Sequence, residues 1–188
     1  MNNCICIFCG SYCGNNKIYE DSAVNFAKEI VKNNLTLIYG GGNNGIMGVV
    51  SKTIINNGGK VIGVIPKFLA DKKLGNNDIT DLKIVKDMHE RKKIMFDLAD
   101  YFVAMPGGIG TLEEIMEVLT WRQLSLHKKP CALLNINNFF DYLIKFLKTA
   151  VSNGFMKQSH LDNLIIEENY ENLISKLKEY KFNQEDKF

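Results

Sequence analysis

The sequence predicts an α/β fold, a doubly wound and mostly parallel sheet of about seven strands with helices on both faces. Short runs of strand formers alternate with segments of helical period. Two glycine-rich turns each join a strand to the helix after it, where the carboxyl ends of parallel strands place ligands. The 188 residues suit a single domain over residues 1–188, a size at which about 70% of the unfolded chain's surface is buried. Neither a repeat nor a long linker divides the chain.

The elements follow in order. Cys4 to Cys9 reads as the first strand, and Gly10-Ser11 opens a loop that ends near Lys17. A helix follows, with Ala23, Phe26, Ala27, Ile30 and Val31 on its inner stripe and Lys28, Glu29 and Lys32 outward. Leu35 to Tyr39 is the second strand. It enters the first glycine turn, Gly40-Gly41-Gly42-Asn43-Asn44-Gly45, and a helix that stops at Gly58-Gly59, where a left-handed residue is needed. Lys60 to Ile65 is the third strand, and Pro66 to Thr80 reads as an irregular excursion able to act as a mobile flap over a site. Leu82 to Val85 is the fourth strand, Met88 to Ala99 a helix, and Asp100 to Met105 the fifth strand.

The second glycine turn, Pro106-Gly107-Gly108-Ile109-Gly110-Thr111, leads into a helix beginning Leu112-Glu113-Glu114. Pro130 to Ile136 is the sixth strand, and Phe139 to Val151 a helix with Leu143, Phe146 and Leu147 inward, ended by Gly154. Leu164 to Ile166 is a short strand and Tyr170 to Tyr180 the closing helix. Residues 183–188 form a polar tail expected to fray.

Composition excludes several classes. With 23 Lys and Arg against 21 Asp and Glu, mixed along the chain, there is no footprint for nucleic acid and no basic patch for a membrane surface. Met1-Asn2-Asn3 lacks the basic start of a secretory leader, and no run approaches the roughly 20 apolar residues of a spanning helix, so a cytoplasmic location is expected. Five cysteines without a secretory signal argue against a disulfide framework. The spacing of Cys6, Cys9 and Cys13 superficially resembles a cluster ligand set, yet Cys4 and Cys6 alternate with Ile5 and Ile7 as small hydrophobes on a buried strand. His89, His127 and His160 are scattered, and no metal is expected.

The chemistry concentrates at the second turn. A strand-to-helix junction rich in glycine aims free N–H groups and the positive end of a helix dipole at one point, which suits a phosphate. Thr111-x-x-Glu114 reads first as a capping box, worth about 1 kcal/mol. Glu113 and Glu114 would repel a phosphate they touched, and so fit better beside a sugar, where cleavage of a sugar–base bond develops positive charge. The cations Arg91, Lys92 and Lys93 stand at the positive end of their own helix. They either face a bound anion or point into water. The first turn formally matches a dinucleotide fingerprint, but the next strand ends Val64-Ile65-Pro66 without the acid that pattern requires, and no Walker lysine follows either turn.

Together, Gly40-Gly41-Gly42-x-x-Gly45-Ile46-Met47-Gly48, Met88-His89-Glu90-Arg91-Lys92, Pro106-Gly107-Gly108-x-Gly110-Thr111-x-x-Glu114 and Glu117-Val118-Leu119-Thr120-Trp121 closely resemble the LOG family, cytokinin riboside 5′-monophosphate phosphoribohydrolases known under an older name as possible lysine decarboxylases. The resemblance runs from Ile7-Phe8-Cys9-Gly10-Ser11 to the last helix. It implies a Rossmann-like homodimer that cleaves an N6-modified adenosine monophosphate, or AMP, to free base and ribose 5-phosphate without a cofactor. By that resemblance Arg91 and Glu114 form the catalytic pair. Gly10, Ser11, Gly42, Met88, Lys92, Gly108, Ile109, Gly110, Leu112, Glu113, Thr111 and Thr120 are expected to bind the nucleotide. Where the family carries a flap glutamate this chain offers Lys73, which bears on base selectivity. The rival reading is a nucleotide or molybdenum-cofactor-like carrier that binds at the same turn without cleaving.

Overall fold

The computed structural model describes residues 3–72 and 74–182. Along the chain run β1 (Cys4–Phe8), α1 (Lys17–Lys32), β2 (Thr36–Tyr39), α2 (Gly45–Asn56), β3 (Lys60–Pro66), α3 (Lys67–Ala70), β4 (Asp81–Val85) and α4 (Met88–Leu98). They are followed by β5 (Tyr101–Ala104), α5 (Ile109–Gln123), β6 (Cys131–Leu134), α6 (Asp141–Ser152), α7 (Gln158–Asp162), β7 (Leu164–Glu167) and α8 (Tyr170–Glu179). The seven strands form one sheet in the order β4-β3-β2-β1-β5-β6-β7, and every pairing is parallel. The chain winds outward from β1 to β4 and then returns to set β5 on the other side of β1. This reversal makes the β1/β5 border the switch point, where an open parallel sheet leaves a crevice beyond its carboxyl ends.

Alternation along β1 sorts the core into two layers. Ile5, Ile7 and Cys9 pack with α1, α2 and α8 through Phe26, Ile30, Ile54 and Leu173. Cys4, Cys6 and Phe8 pack on the other face with Met95 of α4, Ile115 and Val118 of α5 and Leu147 of α6. A strand buried on both faces must be apolar at every position, which is why CICIF reads as a continuous run. Phe102 of β5 extends the second layer, stacked between Phe8 and Phe96 at centroid distances of 6.1 and 5.6 Å.

Several expectations change. The sixth strand ends at Leu134, and a 3₁₀ turn at Ile136–Asn138 carries Asn137 and Asn138 in left-handed conformation (φ 52° and 58°), which asparagine tolerates. The next helix therefore begins at Asp141 and not at Phe139. Asn135 closes the turn, accepting from Phe140 N–H at 2.7 Å and donating to Asp141 at 2.9 Å. Phe146, expected inward, is 65% exposed. The inward stripe of α6 is Leu143, Ile144, Leu147 and Val151, and a residue one position before Leu147 is turned about 100° away from it.

The excursion after β3 is also more ordered than an irregular flap. It contains α3, and its far end is strapped to the first glycine turn: Gly42 bridges Gly75, Asn43 N–H donates to Leu74 C=O and Asn76 N–H to Gly41 C=O. The buried Asn76 side chain donates to Ser51 Oγ at 3.2 Å. Lys73 and the tail at 183–188 lie outside the described residues.

Candidate active site

Beyond the carboxyl ends of β1 and β5 lies a cavity of about 430 Å³, lined by the loop from Cys9 to Gly14, Tyr19, Ile46 and Met47, Arg91, the turn from Pro106 to Thr111, Glu114 and Phe139. The two loops that build it are tied together. Gly10 N–H donates to Pro106 C=O at 3.1 Å, and Met47 N–H to Gly10 C=O at 3.3 Å.

The second glycine turn ends at Gly108, the N-cap of α5. Helix geometry leaves the first N–H groups of α5 without intrahelical partners. A Cβ on Gly108 or Gly110 would meet nothing within 4 Å, so the backbone here faces open space. Thr111 is not the cap that its spacing to Glu114 suggested. The helix already starts at Ile109, no side chain caps it, and the buried Thr111 hydroxyl lies over Gly107, where a Cβ would come within 2.2 Å of it. The capping-box reading is therefore overturned, because α5 begins two residues before Thr111.

Glu114 is freed for another partner. Its Oε1 lies 3.2 Å from Arg91 Nη1, and both side chains are nearly buried. Burial pushes the Glu114 carboxyl above the ordinary glutamate value. Arg91 and Lys92 pull it down, and Glu113 and Glu117 push it up. Arg91 is aimed by its surroundings. Asp87 caps α4 by accepting from Glu90 N–H at 2.9 Å, and Arg91 Nε donates to Val64 C=O at the end of β3, 3.1 Å away. Arg91 and Lys92 of this first turn thus face carboxylates, whereas Lys93 points into solvent. Lys92 Nζ sits between Glu113 and Glu117 at 2.6 and 2.8 Å, and Lys93 pairs with Asp97.

The sequence-predicted residues divide accordingly. Gly10, Ser11, Arg91, Gly108, Ile109, Gly110, Thr111 and Glu114 come together around the cavity. The other six stand apart from it. Lys92 is held by its two carboxylates, the half-exposed Glu113 being one of them. Leu112 packs against the second core layer, and Thr120 bonds back to Met116 C=O at 2.7 Å on the surface of α5. Gly42 is engaged with Gly75, and the Met88 sulfur lies 3.9 Å from Arg91 Nη1 behind the ion pair. No described residue of 66–80 lines the cavity.

Sequence reasoning passed over Tyr12, Cys13, Tyr19, Met47 and Phe139, which furnish much of the apolar wall. The Asn137-Asn138 pair was the available signal for Phe139, since it breaks the helical reading and turns that ring toward Tyr19, 5.7 Å away edge-on. Among the described residues no group of three His, Cys, Asp or Glu is placed to hold a metal.

Comparison with known proteins places this architecture in context. Residues 47–177 match the family model described as "Possible lysine decarboxylase". A probable cytokinin riboside 5'-monophosphate phosphoribohydrolase of Oryza sativa subsp. japonica is 44% identical over 94% of this chain and 72% of its own length. A cytokinin riboside 5'-monophosphate phosphoribohydrolase of Arabidopsis thaliana is 44% identical over 94% of this chain and 78% of its own. Among solved structures, the molybdenum cofactor binding protein of Rippkaea orientalis superposes with a TM-score of 0.72 at 20% identity, covering 95% of this chain and 97% of that one. The Moco carrier protein of Chlamydomonas reinhardtii gives 0.71 at 20% identity, covering 95% and 97%. At that identity the two structures share the fold with this chain, a Rossmann-like parallel sheet.

Proposed function

The chain belongs to the LOG family, the "Possible lysine decarboxylase" family of the older description, and from that premise we propose that it hydrolyses the N-glycosidic bond of a purine nucleoside 5′-monophosphate. The substrate is an N6-modified AMP of the cytokinin type, or AMP itself, and the products are free base and ribose 5-phosphate. One observation carries the reading: a buried carboxylate, Glu114, paired with Arg91, stands one helical turn below an open glycine N-terminus in the same cavity.

The phosphate docks on the free N–H groups of Ile109, Gly110 and Thr111, where the dipole of α5 favours negative charge. The ribose then lies over Glu114. As the C1′–N bond lengthens, the sugar carbon gains positive charge, and the ionised Glu114 stabilises it and orients water for addition at C1′. The bond electrons leave with the base, which takes up a proton, and water supplies the hydroxyl at C1′. Arg91 holds Glu114 ionised and oriented against the burial that favours its neutral form. No step calls for a cofactor.

A panel of isopentenyl-AMP, AMP, adenosine and other nucleoside monophosphates, scored for base release, tests the reading. The monophosphates are expected to react and adenosine to react poorly, because the phosphate anchor is missing. Equal rates with adenosine would contradict the docking.

The working unit is a homodimer in the cytoplasm. Its candidate contact surface is the apolar end of α5 around Trp121, where Leu124 and Leu126 are exposed and Trp121 itself packs edge-on to Phe96 at 4.8 Å. Light scattering at micromolar concentration should give twice the chain mass. A monomer would count against it.

A further inference from the structure

We propose that Gly40 is a positioning residue for this reaction, because by carrying no side chain it leaves vacant the place that the Arg91 guanidinium fills on its way to Glu114. The inference rests on the hydrolytic reading above. A Cβ on Gly40 would lie 2.0 Å from Arg91 Nη2 and 3.2 Å from its Cζ, with Met47 Sδ next at 3.5 Å. On another edge of the same guanidinium, Nε donates to Val64 C=O, while Nη1 reaches Glu114. The end of β2, the end of β3 and the acid on α5 thus hold Arg91 from separate directions.

The atoms a Gly40 side chain would strike are the far end of a long, flexible residue and not backbone. Gly40 also lies outside the positive-φ glycines of the chain, so alanine meets no backbone strain there. The inexpensive response to a methyl group is for Arg91 to swing aside while the fold stays. Gly45 and Gly48 in the same turn behave differently. Their Cβ atoms would meet the Ser11 and Tyr12 backbone at 2.3 Å and the Asn43 carbonyl oxygen at 2.2 Å, so substitution must move main chain. Gly40 is the position at which this turn separates function from fold.

Glu114 faces Arg91 and Lys92 from α4, Glu113 and Glu117 from its own helix, the Cys6 thiol from β1 and the Cys9 thiol just past the end of that strand. Displacing Arg91 removes the counter-charge that most strongly opposes burial, so Glu114 must then titrate higher.

The experiment compares wild type, Gly40→Ala, Arg91→Ala and the double variant in the full chain, by thermal melting, by carboxyl-carbon NMR titration of Glu114 and by kcat/KM for base release. Gly40→Ala should melt close to wild type, raise the Glu114 midpoint as Arg91→Ala does, and lower kcat/KM by about 10² to 10³, the size expected for one charge-stabilising contact. The double variant should be no worse than Arg91→Ala alone. Wild-type titration and activity in Gly40→Ala, or losses that multiply in the double variant, would overturn the proposal. If Gly40→Ala melts low, it must cost nothing further in the Arg91→Ala background; a further loss there places the clash on backbone and also overturns it. If wild type itself releases no base from any nucleotide, the hydrolytic reading fails, and the Glu114 titration still decides whether Gly40 seats Arg91.

Discussion

The two glycine turns occupy equivalent places, at the carboxyl ends of β2 and β5 on either side of β1, yet they use glycine in opposite ways. In the first, the space that side chains would take is filled by protein: Arg91 against Gly40, the Ser11 backbone against Gly45, and the Asn43 carbonyl against Gly48. In the second, Gly107 is packed under Thr111 and against Gly10, but Gly108 and Gly110 face nothing within 4 Å. One turn is packed, and the other opens where it enters its helix. The first assembles the walls of the site and the second leaves room for a ligand to approach the backbone, so glycine content alone does not mark the binding turn.

The largest expected effect is at the open turn's acid. Glu114→Gln keeps shape but cannot become negative, and base release should fall by about 10² to 10⁴, the range of general acid–base assistance. Its stability should move the other way. A carboxyl whose folded pKa is raised folds better neutral than ionised, so its penalty is fully present above the folded pKa and vanishes as pH falls through that value toward the ordinary one. Glu114→Gln is then expected to melt at or above wild type at pH 7, with the gap closing under acid. The wild-type kcat/KM profile should correspondingly lose activity on the acid side at a pH above the ordinary glutamate value of about 4.3. An acid limb at or below that value would remove the raised carboxyl from the account.

The packed turn breaks by a different route. Gly45→Ala adds a methyl against main chain at a residue with φ +59°, and overpacking together with left-handed strain should cost about 2–4 kcal/mol in denaturant unfolding. Activity should fall with the folded fraction. A Gly45→Ala protein of wild-type stability would show that the turn is not tightly packed.

Gly110→Ala sharpens the contrast from the open side. The methyl has no protein neighbour and alanine suits a helix better than glycine by up to about 1 kcal/mol, so melting should stay level or rise. KM for the nucleotide should rise about tenfold, roughly 1.4 kcal/mol of lost binding. Unchanged KM would move the phosphate away from this turn.

The smallest effect is expected for Lys92→Met. It leaves Glu113 and Glu117 unpaired near Glu114 and should raise the acid limb further while changing KM by less than the glycine substitution does. A large KM effect with no shift in the limb would instead favour direct contact between Lys92 and the nucleotide.

Much of the fold was legible because its signals are local. CICIF is apolar at every position since β1 is buried on both faces, and Gly58 stops α2 by taking φ +77°. The errors share a cause. Thr111-x-x-Glu114 satisfies a local capping rule, but α5 starts at Ile109, and Thr111 is drawn over Gly107 while Glu114 turns to Arg91. The cations at the start of α4 looked misplaced because the partners of Lys92 lie 21 and 25 residues further on, beyond the reach of any periodic pattern. The seating of Arg91 on Gly40 joins two motifs far apart in the chain, and no spacing within either reveals it. The proposed catalytic pair, Arg91 and Glu114, was named only through resemblance to the family.

The most direct test of the central claim is a product balance. Wild type is incubated with isopentenyl-AMP in large excess over protein, and free base, ribose 5-phosphate and remaining nucleotide are quantified over time. The account predicts base and ribose 5-phosphate in equal amounts, accumulating through many turnovers. Recovery of the nucleotide intact, with only a stoichiometric amount bound to the protein, would contradict it and make the cavity a carrier's site.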